Sequence, residues 1–352
     1  MKILEVNTEK TWRGGERQTL YNILGFLKKG HQVHLLARRG GPLAMKSRKE
    51  TGIPVFEVSS LLGAWWFLVR HGSKYDIVHV QTARTQSVAI LAKSFYQRPV
   101  VYTRRSNFFP KTGLFSKWKY EKTDCLSANS YHIGEVLHSF GIQKEVIVLR
   151  EVVEEEELDR ERAENLKKKL GIENKKILAT AGALVPHKDP FNMIHAISEL
   201  YQKRQDFVFL HFGDGEMRDA VEKEIQRCGL EKVFLLMGFH EKVQDFYSIF
   251  DVFVMSSDGE GTPNTVLDAF LYKVPVVATR AGGTPEILEG RGILCPIKDP
   301  KALALGIEQI LDSPELSQEY VEKAYAYVKE HHSLEKVTQD YLDTFQKVLS
   351  KE

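Results

Sequence analysis

The sequence predicts an α/β protein made of two doubly wound, mostly parallel sheets with helices on both faces. Three observations carry this. At 352 residues the chain exceeds what one hydrophobic core comfortably serves, and two domains of about 150 to 200 residues are the natural division. Short apolar, often β-branched runs alternate with amphipathic helical stretches from end to end. Glycine-bearing or short polar loops follow many of these runs, on the edge where ligands of doubly wound sheets bind.

In the first half the expected strands are residues 2–6, 32–37, 55–58, 77–80, 100–103, 125–129 and 146–149. In the second they are 177–181, 207–212, 233–237, 252–255, 274–279 and 292–295. Between the sets, Glu151-Val-Val-Glu-Glu-Glu-Glu157 is a charge run leading into an expected helix over 159–170. The domain boundary belongs there, giving domains of 1–152 and 153–333. The remaining stretch, 334–352, carries Leu334, Val337, Tyr341, Leu342, Phe345 and Val348 at helical spacing, which predicts a helix that packs back on the first domain.

Charge separates the halves. The chain as a whole has a net charge of +2, but residues 1–150 hold 24 Lys and Arg against 10 Asp and Glu, and the rest hold 25 against 37. A first half at +14 facing a second at −12 points to an anionic partner for the first: a membrane surface, an acidic glycolipid or a nucleic acid. No nucleic-acid recognition motif accompanies the charge, so nucleic acid is not expected. Cys125, Cys228 and Cys295 are far apart without metal-ligand spacing, which suits a reducing cytoplasm and predicts no metal site. The N-terminal run reads as a strand carrying Glu5, and the longest apolar run, 61–69, is about half a membrane span.

Residues 251–270 are the richest in chemistry. The apolar run 252–255 ends in the turn 256–261, after which Thr262 is the expected N-cap and Pro263 the first helical residue. Glu260 and Asp268 bracket this helix start. Backbone N–H groups at a helix start favour phosphate, and carboxylates beside them bind hydroxyls, so the segment is suited to a sugar nucleotide. Gly14-Gly15-Glu16-Arg17 follows the first strand and precedes a helix, a place where backbone approaches a ligand closely, or equally a simple turn. Neither the Gly-x-Gly-x-x-Gly nor the Walker pattern is present there. Lys188, in Gly182-Ala-Leu-Val-Pro-His-Lys188, is placed to reach a diphosphate; read alone it is as well a solvated loop lysine. Gly213-Asp214-Gly215, the loop at Gly238 and Gly282-Gly283-Thr-Pro-Glu286 end three further strands.

In order and spacing these loops resemble glycosyltransferase family 4. The resemblance implies the fold called GT-B, two Rossmann-like doubly wound domains facing a central cleft, and transfer of a sugar from a nucleotide donor with retention and without a metal or other cofactor. Carried over by position, Glu260 hydrogen-bonds the donor hexose and Asp268 stands where an acid binds the ribose. Lys188, Gly14 or Gly15, and the backbone near Asn264 and Thr265 contact the diphosphate, with Gly261 and Thr262 beside them. The base rests near Gly213, Asp214 and Gly238. Arg105 stands for a cation on the donor phosphate or on an anionic acceptor.

The chain departs from the family pattern at three places. It has Asp268 where Glu is usual, Ala183 where Arg is usual, and Arg104-Arg105 where a His often stands. The resulting expectation is a cytoplasmic hexosyltransferase, peripheral at the inner membrane face, acting on an anionic glycolipid or polysaccharide such as a lipopolysaccharide core. A sugar-nucleotide epimerase of the same fold and a non-catalytic sugar-nucleotide-binding protein are the alternatives. The basic aromatic stretch 104–122, together with Trp65, Trp66 and Phe67, is expected either to meet an anionic membrane or to serve as an acceptor loop and core helix.

Overall fold

The computed structural model describes residues 1–110 and 112–351. Lys111 in the basic aromatic stretch and Glu352 at the end of the expected last helix lie outside the described residues. The chain divides into two compact units: Met1–Val152 together with His331 onward, and Val153–Glu330.

The first unit is a parallel sheet of seven strands, β1 (Lys2–Asn7), β2 (Gln32–Arg38), β3 (Val55–Val58), β4 (Ile77–Val80), β5 (Val100–Arg104), β6 (Cys125–Ala128) and β7 (Val146–Val148). Their order is β3-β2-β1-β4-β5-β6-β7, so the winding reverses between β1 and β4. Ile3, Leu4, Val6, Ile77, Val78 and Val80 are shielded from solvent, as strands covered by helices on both faces require. Helix Leu334–Leu349 belongs to this unit, and Phe345 and Tyr341 set their rings 5.5 Å and 6.1 Å from Phe26 of helix Gly14–Lys28. Five apolar positions of the 334–349 helix, Leu334, Val337, Tyr341, Leu342 and Phe345, are buried in the same core as Phe26. Burying such side chains stabilises by about 1.5–3 kcal/mol each.

The second unit has six parallel strands, β8 (Lys176–Ala181), β9 (Phe207–Phe212), β10 (Phe234–Gly238), β11 (Val252–Met255), β12 (Val276–Thr279) and β13 (Ile293–Cys295). Here the order is β10-β9-β8-β11-β12-β13, and the reversal falls between β8 and β11. Alternate residues of β8 feed opposite cores. Ile177 and Ala179 pack with Val266, Leu267 and Phe270 of helix Asn264–Leu271, whereas Leu178 packs with Ile194 and Ile197 of helix Pro190–Tyr201.

Several boundaries shift from the sequence reading. β12 starts at Val276 because Pro275 has no N–H to donate; its carbonyl still accepts from Phe253 N at 2.9 Å. Asp159 is the cap of helix Arg160–Leu170 and not its first residue, its carboxylate accepting from Arg162 N at 2.9 Å.

Candidate functional site

The strand order of the second unit creates the site. Where winding reverses, the helices leaving the two neighbouring strands go to opposite faces, and a crevice opens at the carboxyl ends of those strands. The loops after β8 and β11 meet at that point. They are stitched through backbone: Ser256 Oγ donates to the carbonyls of Lys188 and Asp189 at 3.0 and 2.9 Å, and Asp258 N donates to His187 O at 3.0 Å. Asp189, in the left-handed region at φ 44°, then caps helix Pro190–Tyr201 by accepting from Asn192 N. Lys188 is thereby held in a short 3₁₀ turn, Pro186–Lys188, with its ammonium directed across the crevice.

Its partner there is Glu260. Lys188 Nζ donates to Glu260 Oε1 at 2.6 Å, and Ser257 Oγ donates to the same oxygen at 2.6 Å. The carboxylate side chain is 10% exposed and the lysine 27%, so the pair is largely covered, with the carboxylate nearly buried and the ammonium partly open. Gly182, Lys188, Ser257 and Thr265 line one narrow recess, with Met193 and Met255 at its apolar side. Two residues 72 apart in the sequence, singled out separately as contacts of a diphosphate and of a hexose, are thus adjacent.

The glycine pair after β12 supports Glu260 from behind. Gly283 N donates to Glu260 O at 3.2 Å. Gly282 sits at φ 51°, and a Cβ there would lie 1.9 Å from Glu260 O, so only glycine lets the two backbones approach this closely. Thr279 Oγ1 donates to Ser257 O, fixing the residue that in turn holds the carboxylate.

The loop after β9 closes against the loop after β8 in the same way. Gly213, at φ 141°, would place a Cβ 1.9 Å from Gly182 O, and its N–H donates to Gly238 O at 2.8 Å. His211 Nε2 lies 3.1 Å from Gly182 O; a carbonyl only accepts, so Nε2 carries the proton. Burial pushes the His211 pKa down to about 4 and keeps the ring neutral.

The expected N-cap is corrected. The first intrahelical bonds, from Val266 N and Leu267 N, go to Pro263 O, which makes Pro263 the cap and Asn264 and Thr265 the first two helical residues. Thr262 and Gly261 are buried in the preceding loop. A proline cap offers no side-chain acceptor, so Pro263 makes no capping bond of its own. Asp268 lies on the same helix, 4% exposed, with its carboxylate accepting from Gln244 Nε2 at 3.4 Å. Asp214 is exposed; it accepts from Gly215 N at 2.8 Å and pairs with Arg218 at 3.3 Å.

In the first unit the reversal point lies between β1 and β4, and helix Gly14–Lys28 starts there, with Gly14 and Gly15 as its first two residues. Glu16 turns back to accept from Arg13 N at 2.9 Å and, with Thr19 Oγ1, takes the amide of Asn7. Arg105 is inside a buried polar network. Nε donates to Glu151 at 3.0 Å, Nη1 to Gln81 Oε1 and Nη2 to Tyr341 OH at 3.4 Å, while Asn129 Nδ2 donates to Glu151 at 2.7 Å. Burial disfavours the guanidinium's charge, but Glu151, Tyr341 and Glu5 together outweigh it and the pKa is raised. Its neighbour Arg104 is equally occupied, donating to Tyr120 OH at 2.6 Å and to Phe108 O.

Sequence reading passed over Ser257, Gln244, Thr279 and His211. His211 alone left a signal, a polar residue in the otherwise apolar Phe-Val-Phe-Leu-His-Phe strand. Among the described residues, His195, Glu224 and Cys228 form the one group with metal-ligand chemistry. None lines the recess, and Glu224 is already held by His195 at 2.5 Å and by Arg227 at 2.5 and 2.8 Å.

Comparison with known proteins bears on the family and the fold. A family model described as "Glycosyl transferases group 1" matches residues 162–327, and one described as "Glycosyltransferase Family 4" matches residues 12–155. Lipopolysaccharide core biosynthesis glycosyltransferase LpsE of Rhizobium meliloti is 27% identical over 234 residues, 63% of this chain and 64% of that protein. N-acetyl-alpha-D-glucosaminyl L-malate synthase of Bacillus anthracis is 24% identical over 287 residues, 78% and 75% of the two chains. Among solved structures, Anabaena HepE in complex with UDP superposes with a TM-score of 0.86 at 20% identity, covering 99% of this chain and 100% of that one. A glycosyltransferase from Rickettsia africae gives a TM-score of 0.85 at 20% identity, with 100% and 99% coverage. Two parallel sheets of this winding, a family model on each, and that likeness in fold place the chain among the family 4 glycosyltransferases of the GT-B fold.

Proposed function

We propose that the protein is a retaining, metal-independent hexosyltransferase that moves a sugar from a nucleotide-sugar donor to an anionic cell-envelope acceptor such as a lipopolysaccharide core or related glycolipid. The observation that carries this reading is the Lys188–Glu260 pair at 2.6 Å, largely covered at the reversal point of a parallel sheet and beside the start of helix Asn264–Leu271. Donor binding exchanges the pair's partners. The ammonium of Lys188 takes a diphosphate oxygen, and Glu260, still held by Ser257, accepts from a hexose hydroxyl. Asn264 and Thr265 offer backbone N–H groups to the diphosphate, with Gly261 and Thr262 beside them; Asp268 faces the ribose, and the base rests near Gly213, Asp214 and Gly238.

In the transfer, the bond from the anomeric carbon to the diphosphate oxygen breaks while a bond to the acceptor oxygen forms on the same face. The acceptor's proton passes to the leaving diphosphate. Charge builds on that diphosphate, so a fixed cation and oriented N–H groups lower the barrier more than a protein nucleophile does. Lys188 fills the role a divalent metal would otherwise play. Relatives support the substrate classes: solved neighbours hold UDP or UDP-glucose, and one relative is named for lipopolysaccharide core biosynthesis. The +14 charge of residues 1–150 supports an anionic acceptor. An acceptor of that kind puts the enzyme at the cytoplasmic face of the membrane.

The test is incubation of the pure protein with a panel of nucleotide sugars, with and without glycolipid extract and with and without a chelator. Free nucleotide, epimerised donor and labelled acceptor are measured. Acceptor labelling that survives chelation and keeps the donor's anomeric configuration is expected. Absence of nucleotide release from every donor overturns the reading, and epimer without labelled acceptor replaces it with the epimerase.

A further inference from the structure

The largest feature left unused by the donor site is on the first unit. Helices Leu61–His71, Ala83–Tyr96 and Leu114–Lys122 lie side by side: the Trp65 and Phe95 rings are 5.7 Å apart, and Trp118 and Lys122 share a shallow groove with Ile90 and Leu91. Their outer surface is apolar. Leu62, Trp66, Leu91, Phe95, Leu114 and Trp118 are exposed, Leu114 by 89% and Leu62 by 66%. Scattered exposed apolar residues are ordinary, but a run of them across three adjoining helices marks an interaction surface.

Charge identifies what covers it. The three helices together carry six Lys or Arg and one acid, Glu121. Lys119 turns inward to Ala83 O and Ser87 Oγ, and Lys93 is held by Asp124. Arg70 lies over the Trp66 ring at 5.5 Å, and Lys117 and Lys122 are exposed beside Trp118. A second copy of the chain pairing face to face through this same surface would set like charges against each other, which costs several kcal/mol across an interface. Tryptophan and leucine ringed by lysine and arginine, with almost no acid, match the headgroup layer of an anionic bilayer.

We propose that this three-helix surface docks the protein on anionic phospholipid, with the aromatic and leucine side chains entering the headgroup layer and Arg70, Lys117 and Lys122 on lipid phosphates. Arg104 serves the same surface from within, holding Tyr120 of the third helix and the Phe108 carbonyl. In a parallel sheet each of these helices starts at the carboxyl edge of the strand before it, so Leu61, Leu62, Leu114 and Phe115 extend the patch to the edge where Gly14 and Gly15 begin their own helix. Docking of this kind holds that edge at the lipid surface. The inference stands on the patch alone and does not require the transfer reaction.

Flotation of the purified full chain with vesicles tests it. Binding is expected to vesicles containing about one-third phosphatidylglycerol and not to pure phosphatidylcholine, weakening as salt rises past physiological strength. Lys117→Glu with Lys122→Glu should lower partitioning at least about thirtyfold, and Trp66→Ser with Trp118→Ser at least about tenfold. Because these side chains are exposed, both variants should melt with the parent, and Lys188→Ala, in the other unit, should float unchanged. Failure of the parent to bind anionic vesicles overturns the proposal. So does a parent that is dimeric and becomes monomeric in the tryptophan variant, which would make the surface a protein interface. Equal binding by parent and both variants places the membrane contact elsewhere and overturns it as well.

Discussion

Gly282→Ala is the sharpest probe of how Glu260 is held. The added Cβ would lie 1.9 Å from Glu260 O, and Cβ atoms do not approach other heavy atoms closer than about 3.0 Å, so one backbone must retreat by about 1 Å. The neighbouring backbone at Gly282 cannot yield easily, because Gly283 N is tied to the same carbonyl at 3.2 Å. The movement therefore reaches Glu260, whose carboxylate is placed by Lys188 and Ser257, each at 2.6 Å. Misplacing a positioning group by about 1 Å costs on the order of a hundredfold in rate. Alanine at φ 51° adds backbone strain of about 1–2 kcal/mol. The control is Gly290→Ala, which imposes a comparable strain at φ 73° but meets nothing within 4 Å. Steady-state nucleotide release and urea unfolding should be measured on both. Gly290→Ala should lose about 1–2 kcal/mol of stability and Gly282→Ala more, since it adds the clash to the strain, and only Gly282→Ala should lose about two orders of magnitude in kcat/KM. Gly282→Ala with a rate within about threefold of the Gly290→Ala rate would refute the argument that this glycine positions the carboxylate.

Other consequences can be checked directly. Lys188→Ala and Glu260→Ala should each lower kcat/KM by at least about ten- to a hundredfold in the nucleotide-release assay, through lost charge stabilisation and lost positioning. Arg105→Ala leaves Glu151, 1% exposed, without its cation and should cost about 3–5 kcal/mol in urea unfolding; Arg105→Met with Glu151→Gln should recover much of that loss. His211 is held neutral with a pKa of about 4, below its ordinary 6.5, so the unfolded chain binds the extra proton. Its contribution is present above about pH 6.5 and is lost as pH falls toward 4, a change on the order of 3 kcal/mol, and His211→Gln should flatten that part of the stability profile in denaturant titrations.

Much of the fold was legible without coordinates. Each of the thirteen expected strands corresponds to a strand of the structure, because burial on both faces demands continuous apolar, β-branched runs that stand out from helical periodicity. Boundaries were less legible. Pro263 proved to be the cap and not the first helical residue, and the difference depends on which carbonyl accepts the first helical bond, which residue type alone does not decide.

Within the candidate site, sequence alone marked Lys188, Glu260 and the glycine loops as chemically suited to a phosphate and a sugar, since charge, hydroxyl-binding capacity and backbone freedom are properties of single residues. Only the tertiary structure decided which of them meet. Lys188 and Glu260 are neighbours because β8 pairs with β11, 75 residues on between Lys176 and Asp251, where the winding reverses. The same holds for Gly282 behind Glu260, and for Arg105, which reads in the sequence as an open cation and folds into a buried pair with Glu151. Periodicity assigns each side chain to a face of its own element; strand order, which sets the distance between loops, is determined by the packing of the whole sheet.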